Sequence, residues 1–224
     1  MFGAWLGDVT LAEFRARYLQ REAFARPSSA LATVPKLDWS VLARVLVADP
    51  PPDTLVVARG KRLEVPAPRS LADLGALFAA GVGLCLRHTE RCDPGLAAIA
   101  ADFERELGSA QVQLFVTPPR THGFTWHYDD EDVFIVQTLG TKEYLFRANT
   151  VAPETTAHAS VFQRFAEERS PICAATLVPG DFLYIPARWW HMAECRGGDP
   201  SLSISVGVRP RGAGLAPDPG QEAS

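Results

Sequence analysis

The chain has 224 residues, 47% of them apolar, and a formal net charge of −4. This length fits one domain with a substantial core, and the lack of a basic excess argues against nucleic acid as the primary ligand. The first ten residues do not resemble a signal peptide, and the apolar stretch 71–86 is too short and too interrupted to span a membrane. Four cysteines without the spacing of a disulfide scaffold fit a reducing compartment, so we expect a cytoplasmic protein that binds no membrane.

The first half of the chain, residues 1–110, is predicted to be mainly helical. Thr10-Leu11-Ala12-Glu13 is a capping box that opens a helix over about residues 11–20. Three further helices are each expected to begin at a capping residue and to stop at or before a proline or glycine: Asp38 to Pro50, Ser70 to Gly81, and Asp93 to Gly108. Residues 54–58 and 62–65 are predicted to form a hairpin around Arg59-Gly60-Lys61.

From residue 111 onward, short strands alternate with turns. The predicted strands cover residues 111–117, 124–128, 133–138, 142–147, 173–178, 182–186, 191–196 and 201–208. Eight short strands of this spacing are typical of a double-stranded β-helix, the jelly-roll form of sandwich. The predicted fold class is therefore α+β and mainly β, with a helical N-terminal region (1–110) packed on a jelly-roll core (111–209). A flexible tail (210–224) follows, and the whole is one structural domain.

The tripeptide His127-Tyr128-Asp129 lies on the second predicted strand of this half. Residues two apart on a strand point to the same side, so His127 and Asp129 are expected to share a face while Tyr128 points away. Two imidazoles and one carboxylate can occupy one face of an iron(II) ion, and His191 can supply the second imidazole from a different strand. Without His191, a surface histidine beside an acidic loop would be the better interpretation of the tripeptide.

Three stretches together form a compound motif: Leu114 to Pro119, Gly123 to Lys142, and His191 to Cys195 with Ser201-Leu202. This motif resembles the JmjC-type, cupin-like oxygenases, and among them the ribosomal-oxygenase branch. The resemblance covers residues 111–208, whereas the first half fits the family only in general layout. It implies that His127, Asp129 and His191 bind iron(II), and that 2-oxoglutarate chelates the same metal.

The resemblance also implies a basic side chain that pairs with the distal carboxylate of 2-oxoglutarate. Lys142 occupies that family position, and a carboxylate buried in a barrel is costly unless a cation pairs with it. Without the motif, Lys142 would be read as an ordinary solvated residue, and Arg147 is a second cation that alternation places on the opposite face. Three further side chains are candidates for 2-oxoglutarate contacts, although such residues equally serve in packing: Gln113, Thr125 and Ser205 (or Ser203).

The implied activity is a dioxygenase that hydroxylates a protein or peptide side chain, with succinate and carbon dioxide as co-products. Trp126, Tyr128 and Trp190 flank the metal ligands and are candidates for the substrate entrance, although large aromatics at barrel mouths are equally often core. Relatives of this branch carry further regions after the barrel, so the same chemistry on a free amino acid or small molecule is an alternative. A homodimer is compatible with the resemblance.

Two rival functions use the same fold. One is a cupin that binds a metal or ligand without catalysis. The other is a metal-dependent cupin isomerase, or a dioxygenase that does not use 2-oxoglutarate. The intact set of three ligands together with Lys142 argues against the first rival, and the second would not need a carboxylate-pairing cation at position 142.

Overall fold

Two antiparallel β-sheets dominate the computed structural model, which describes residues 1–151 and 165–210. Its helices are α1 (Phe2–Trp5), α2 (Leu11–Glu13), α3 (Trp39–Leu46), α4 (Leu71–Ala79) and α5 (Pro94–Glu106). A π-helical turn covers Phe14–Tyr18, and 3₁₀ turns cover Leu31–Lys36 and Thr89–Arg91.

The strands are β1 (Phe24–Arg26), β2 (Asp53–Ala58), β3 (Lys61–Arg62), β4 (Gly83–Arg87), β5 (Gly108–Thr117), β6 (Asp132–Leu139), β7 (Lys142–Arg147), β8 (Cys173–Leu177), β9 (Phe182–Ile185), β10 (Trp190–Cys195) and β11 (Ser201–Pro210). The larger sheet has the order β1-β9-β6-β11-β5-β4-β2-β3, and the smaller sheet has the order β10-β7-β8. Side chains of β6 and β9 share an apolar cluster with side chains of β7 and β8, so the two sheets pack face to face as in a jelly roll.

Alternation along the central strand β11 separates the core from the space between the sheets. Its even-numbered residues, from Leu202 to Val208, are fully buried in a large apolar cluster together with α1, α3 and α5. Its odd-numbered residues from 201 to 207 are small and face the smaller sheet: Ser201, Ser203, Ser205 and Gly207. The helices therefore cover one face of the larger sheet, and small side chains on the other face leave room for a cavity.

The first half of the chain supplies strands to the larger sheet as well as helices. β4 pairs with β5, β2 pairs with β4, and β1 pairs with β9. Phe2 and Phe14 pack against Phe134 of β6, with ring centroids 5.4 and 5.8 Å apart. The hydrophobic core thus contains residues from both sides of the predicted boundary between residues 110 and 111. That boundary stays a prediction.

The predicted α+β, mainly β jelly-roll fold is confirmed, and so are the predicted helix starts. Asp38, Ser70 and Asp93 each accept backbone N–H groups of the helix that follows. The helix predicted over residues 11–20 changes to a π-helical turn at Phe14. Strands β1 and β4 were not predicted, because both are short and neither alternates clearly between apolar and polar residues.

Two predicted segments fall partly or wholly outside the described residues. β11 extends to Pro210, where the tail was predicted to begin, and residues 211–224 lie outside the described part. Residues 152–164 of the predicted loop 148–171 also lie outside it. All four cysteines are free thiols, as expected. Among the described helices, none combines the length and the apolar character that crossing a bilayer requires.

Candidate metal centre and its cavities

His127 and His191 face each other at the edge of the smaller sheet. The backbone N–H of each residue donates to the carbonyl oxygen of the other, over 3.1 Å from His127 and 2.8 Å from His191. This isolated bridge stands where a strand was predicted over residues 124–128, because the rest of that segment is irregular. The two imidazole ring centroids are 4.3 Å apart, so the bridge brings both candidate ligands to one point.

A backbone carbonyl two residues earlier in the chain orients each imidazole. His127 Nδ1 lies 2.7 Å from the Thr125 carbonyl oxygen, and His191 Nδ1 lies 3.0 Å from the Trp189 carbonyl oxygen. Since a carbonyl oxygen only accepts, each Nδ1 carries the proton, and in the neutral imidazole Nε2 keeps its lone pair. This is the outer-shell arrangement that prepares a histidine to bind a metal through Nε2.

Asp129 completes a cluster of three metal-ligating groups. The ligand atoms of His127, Asp129 and His191 all lie within 4.8 Å of one another, and His191 Nε2 is 3.4 Å from Asp129 Oδ2. Burial lowers the pKa of His127 to about 4. Burial opposes ionisation of His191 and Asp129 too, but their mutual contact prevails, raising the pKa of His191 and lowering the pKa of Asp129. Two imidazoles and one carboxylate are the donor set of a facial iron(II) site.

The turn between β9 and β10 fixes two of these three residues. The backbone N–H of Arg188 donates to the Asp129 carbonyl oxygen over 2.7 Å, and the Trp189 carbonyl oxygen accepts from His191. Arg188 adopts a left-handed conformation with φ of 65°, which a residue keeps only when its surroundings demand it. The turn therefore sets the backbone of one ligand and the ring of another.

A buried acid, Asp132, supports that turn. Its carboxylate accepts from the backbone N–H of Ala187 over 3.3 Å and from the hydroxyl of Tyr184, which itself accepts from the backbone N–H of Gln20 over 2.8 Å. Within the described part of the chain, the second carboxylate oxygen has no hydrogen-bond partner. Burial raises the pKa of Asp132. The acid thus links the N-terminal region to the turn that holds the metal ligands.

Two cavities meet at the cluster. One, with an empty volume of about 700 Å³, extends between the sheets and is lined by all three candidate ligands together with Lys142 and Tyr144. The other, of about 890 Å³, is lined by more polar side chains and does not reach Lys142. Six residues line both cavities: Gln113, Phe115, Phe124, His127, Asp129 and Glu131. The candidate metal ligands therefore stand at the junction of the two cavities, and Lys142 lines only one of them.

Lys142 is a buried cation in the first cavity, with 3% of its surface exposed. Its Nζ lies 5.3 Å from the Phe115 ring centroid and 5.6 Å from that of Tyr144. Burial lowers its pKa to about 8, and the other titratable groups that influence it are two cysteines. Among the described residues, no carboxylate forms an ion pair with it. A buried cation without an ionic partner favours an anionic ligand, because aromatic rings offset only part of its desolvation.

Glu131 is a buried carboxyl group in the wall that the two cavities share, with 8% of its surface exposed. Gln111 Nε2 donates to both of its oxygens, over 3.2 and 3.0 Å, and Gln113 Nε2 donates to Oε1 over 3.1 Å. Burial raises its pKa to about 7. A Cβ atom on Gly207 would overlap this carboxylate, so any larger residue opposite it on β11 would displace the Glu131 side chain.

The structure places most of the predicted site residues at these cavities. The first cavity is lined by His127, Asp129, His191, Lys142, Gln113 and Ser205, and the second by Tyr128 as well as three of those. The remaining predicted residues line neither cavity: Thr125, Trp126 and Trp190. Thr125 packs its side chain on Gly60 instead.

The two tryptophans lie beside the ligands in sequence but point away from the metal cluster. Their rings contact Phe165, at centroid distances of 4.6 Å for Trp126 and 5.5 Å for Trp190. Arg147, the alternative cation, also faces this side, because its guanidinium lies 5.5 Å from the Phe165 ring. Alternation along the strand explains its position, as predicted for Arg147.

Tyr144, Gln111 and Glu131 are among the cavity residues that were not predicted from the sequence. Tyr144 stands two residues after Lys142 on the same strand, so alternation alone would have placed it on the same face. Gln111 relates to Gln113 in the same way along β5. Glu131 belongs to an acidic run that is typical of a solvated loop, and nothing local in the sequence indicates that it is buried.

Comparison with known proteins agrees with this geometry. The JmjC domain family model matches residues 88–214. Ribosomal oxygenase 1 of Rattus norvegicus is 31% identical over 157 residues, which are 68% of this chain and 26% of that protein. The bifunctional lysine-specific demethylase and histidyl-hydroxylase NO66 of Culex quinquefasciatus is 37% identical over 141 residues, covering 61% of this chain and 21% of that protein. The chain thus spans about a quarter of the length of these curated relatives.

Solved structures share the fold. YcfD, a ribosomal oxygenase from Escherichia coli in complex with cobalt and 2-oxoglutarate, superposes with a TM-score of 0.66 over 95% of this chain and 53% of that chain, at 19% identity. This likeness confirms the jelly-roll fold. Since the family model covers more than half of the sequence, the chain belongs to the JmjC domain family.

Proposed function

We propose that this chain is an iron(II)- and 2-oxoglutarate-dependent dioxygenase that hydroxylates a side chain of a protein or peptide, with succinate and carbon dioxide as co-products. The observation that carries the proposal is the presence of two features in one cavity. These are the three converging ligand groups and the buried Lys142, which has no carboxylate partner in the described structure. The first feature suits a metal and the second suits a dicarboxylate that reaches it.

The donor set fits iron(II). His127 and His191 present Nε2 because their Nδ1 protons are given to backbone carbonyls, and Asp129 supplies the anionic oxygen. When bound, iron(II) with 2-oxoglutarate and dioxygen supplies the hydroxylation of an unactivated C–H bond. The task of the chain is to hold these groups and to keep the surroundings dry.

The first cavity fits 2-oxoglutarate. Lys142 pairs with the distal carboxylate and offsets the cost of burying it. Tyr144 and Ser205 offer hydroxyl groups in the same cavity, and Tyr144 lies within 3.5 Å of another serine hydroxyl, that of Ser203. Apolar side chains such as Ile135 line the rest and exclude water. The role proposed for Gln113 is weaker, since its amide is already bonded to Glu131.

The second cavity is where we place the substrate. It shares His127 and Asp129 with the first cavity but does not contain Lys142, so a side chain entering there would meet the metal from outside the 2-oxoglutarate site. A protein or peptide substrate is supported by the relatives that the chain resembles, which include ribosomal oxygenases and a histidyl-hydroxylase. A free amino acid or small molecule would use the same cavity.

The test is succinate formation from 2-oxoglutarate by the iron(II)-loaded protein under oxygen, with and without a peptide library. We expect His127→Ala to abolish turnover. Lys142→Ala should raise the KM for 2-oxoglutarate at least a hundredfold, because the buried ion pair is lost. Lys142→Arg should recover part of that loss, since it restores the charge.

Two variants provide matched controls. His88→Ala removes a histidine that lines neither cavity, and Lys36→Ala removes an exposed lysine, so both should turn over like the wild type. Metal binding through His127 without any binding or turnover of 2-oxoglutarate would contradict the proposal and favour a cupin that binds a metal or ligand without catalysis. Metal-dependent activity that survives Lys142→Ala would instead favour an enzyme that does not use 2-oxoglutarate.

A further inference from the structure

The face of the smaller sheet that points away from the metal cluster carries three aromatic rings, those of Trp126, Phe165 and Trp190. Each tryptophan directly precedes a histidine of the cluster, so in extended backbone its side chain points to the side opposite the imidazole. The Phe165 ring stacks on Trp126 at an interplanar angle of 23° and meets Trp190 at 75°. One phenyl ring thus connects the two segments that carry the histidines.

These two segments differ in how firmly the backbone holds them. His191 belongs to β10, which pairs with β7 along its whole length from Trp190 to Cys195. The segment 124–128 forms no strand, and among the described residues its backbone pairing with β10 is the isolated bridge at His127. Strand pairing therefore fixes His191, whereas the position of His127 depends on contacts between side chains.

The other contacts of the segment do not join it to β10. The Phe124 ring lies 5.5 Å from the His127 ring, and the Thr125 carbonyl oxygen accepts from Nδ1, but both residues belong to the segment and move with it. The side chain of Thr125 packs on Gly60, which anchors the segment to the β2–β3 hairpin instead. Loss of Phe165 should therefore displace His127 more than the other histidine.

Phe165 itself is fastened to the end of β7. Glu168, with 3% of its surface exposed, accepts from the backbone N–H and the hydroxyl of Thr150 over 2.7 and 2.5 Å, and from the backbone N–H of Ser170 over 3.0 Å. The guanidinium of Arg147 donates to Ser170 and lies 5.5 Å from the Phe165 ring centroid. Displacement of this segment would leave buried charged groups without their partners, which is costly.

We infer that Phe165 is a positioning residue for the metal ligand His127. Through the two tryptophans it holds the segment 124–128 against β10, and Glu168 holds Phe165 in place. The inference rests on the metal-binding part of the proposed function. It gives Trp126 and Trp190 a role different from the substrate entrance predicted for them, and Phe165 lines neither cavity.

The first measurement is NMR of the imidazole N–H groups in the metal-free protein at neutral pH, assigned with His127→Ala and His191→Ala. In Phe165→Ala we expect the His127 Nδ1–H signal to broaden or disappear while the His191 signal stays. Phe165→Tyr keeps the ring and should retain both signals. If Phe165→Ala does not fold, Phe165→Leu keeps most of the apolar volume without the stacked ring and gives the same comparison.

The second measurement is cobalt(II) affinity, followed by absorbance. Phe165→Ala should weaken cobalt binding about tenfold, as expected for a residue that orients a ligand, and Glu168→Gln should weaken it by a smaller factor. In the iron(II)-saturated enzyme, kcat for succinate formation should fall while the KM for 2-oxoglutarate changes by less than about twofold, because Lys142 lies in a cavity that Phe165 does not touch.

Phe78→Ala is the matched control. Phe78 is also half-buried, packs on a tryptophan (Trp39, at 6.4 Å) and lines neither cavity. It should lower stability without changing the two NMR signals or the cobalt affinity.

Equal loss of both histidine signals in Phe165→Ala would overturn the inference, as would unchanged signals with unchanged cobalt affinity. A loss of cobalt affinity of the same size in Phe78→Ala would also overturn it. If the wild type binds cobalt but forms no succinate, the dioxygenase proposal fails, and the NMR and cobalt results still decide the inference. A wild type that binds no cobalt would refute both.

Discussion

Lys142 remains largely protonated at neutral pH although it is buried, because its pKa falls only to about 8. In the unfolded chain the same group titrates near its usual value of 10.5. The folded pKa is the lower one, so the unfolded chain binds more protons between these two pH values, and stability rises with pH through that window. Below pH 8 the full penalty is present, on the order of 3 kcal/mol.

Replacing Lys142 by methionine should therefore stabilise the protein without its ligands by about 2–3 kcal/mol at pH 7, since the buried charge is removed. The advantage of the variant should shrink as the pH rises from 8 toward 10.5. Urea unfolding at a series of pH values measures this difference in the free energy of unfolding, with Lys36→Met as the exposed control. A variant that is less stable than the wild type at pH 7 would show that the ammonium group has a structural role.

Gly207 gives a second residue-scale prediction. No positive φ requires glycine there, but an added Cβ would overlap the Glu131 carboxylate. Gly207→Ala should destabilise the fold by about 1–3 kcal/mol, because the side chain opposite must move out of its amide contacts. In a Glu131→Ala background the same change should cost much less, giving a positive coupling in a double-mutant cycle. Additive effects of the two changes would contradict the predicted overlap.

Gly75→Ala is the control for that cycle. Gly75 lies in α4, and an added Cβ meets nothing within 4 Å. This change should raise stability by about 0.5–1 kcal/mol through helix propensity, whatever residue stands at position 131.

At the scale of elements, the short turn between β9 and β10 affects both the stability of the fold and the orientation of the candidate metal ligands. Asp132→Ala leaves the backbone N–H of Ala187 and the hydroxyl of Tyr184 without their acceptor, which should cost about 2–3 kcal/mol of stability. Because the same turn orients His191 and Asp129, cobalt(II) binding should weaken about tenfold, as for other outer-shell changes. Titration of cobalt absorbance measures this effect.

Asp181 offers a matched control for the turn. Its carboxylate is also buried, and it accepts from the backbone N–H groups of Ser28 and Val178 at the turn before β9. Asp181→Ala should lower stability by a similar amount but leave cobalt affinity unchanged, because that turn touches no ligand. Equal loss of cobalt affinity in both variants would mean that the metal centre responds to stability in general.

The elements that could be predicted are those with local signals. Asp38, Ser70 and Asp93 cap helices through bonds to residues two or three positions away, and strand alternation separated Lys142 from Arg147. The segment 124–128 looks like a strand, yet only His127 forms a bridge there, since its pairing depends on a turn sixty residues later. Glu131 was missed for the same reason, because Gln111 and Gln113 reach it only in the folded sheet.

At the scale of the whole molecule, both halves of the chain build the site. Val57, Gly83 and Leu84 of the first half line the cavity that contains Lys142. The backbone N–H of Gly60 donates to the Gly123 carbonyl oxygen over 2.6 Å, so the β2–β3 hairpin supports the loop that leads to His127. A jelly-roll core without the first half would lose part of the cavity wall as well as the helices that cover one face of the larger sheet.

A cut between α5 and β5 therefore should not release a folded catalytic core. Separate fragments 1–107 and 108–224 should each lack cooperative unfolding in circular dichroism, because β5 loses β4 and Phe134 loses Phe2 and Phe14. Mixed in equal amounts, they should recover a cooperative transition and bind cobalt(II), since the missing surfaces are complementary. Cooperative unfolding of 108–224 alone would instead establish an autonomous core and support the predicted boundary between residues 110 and 111.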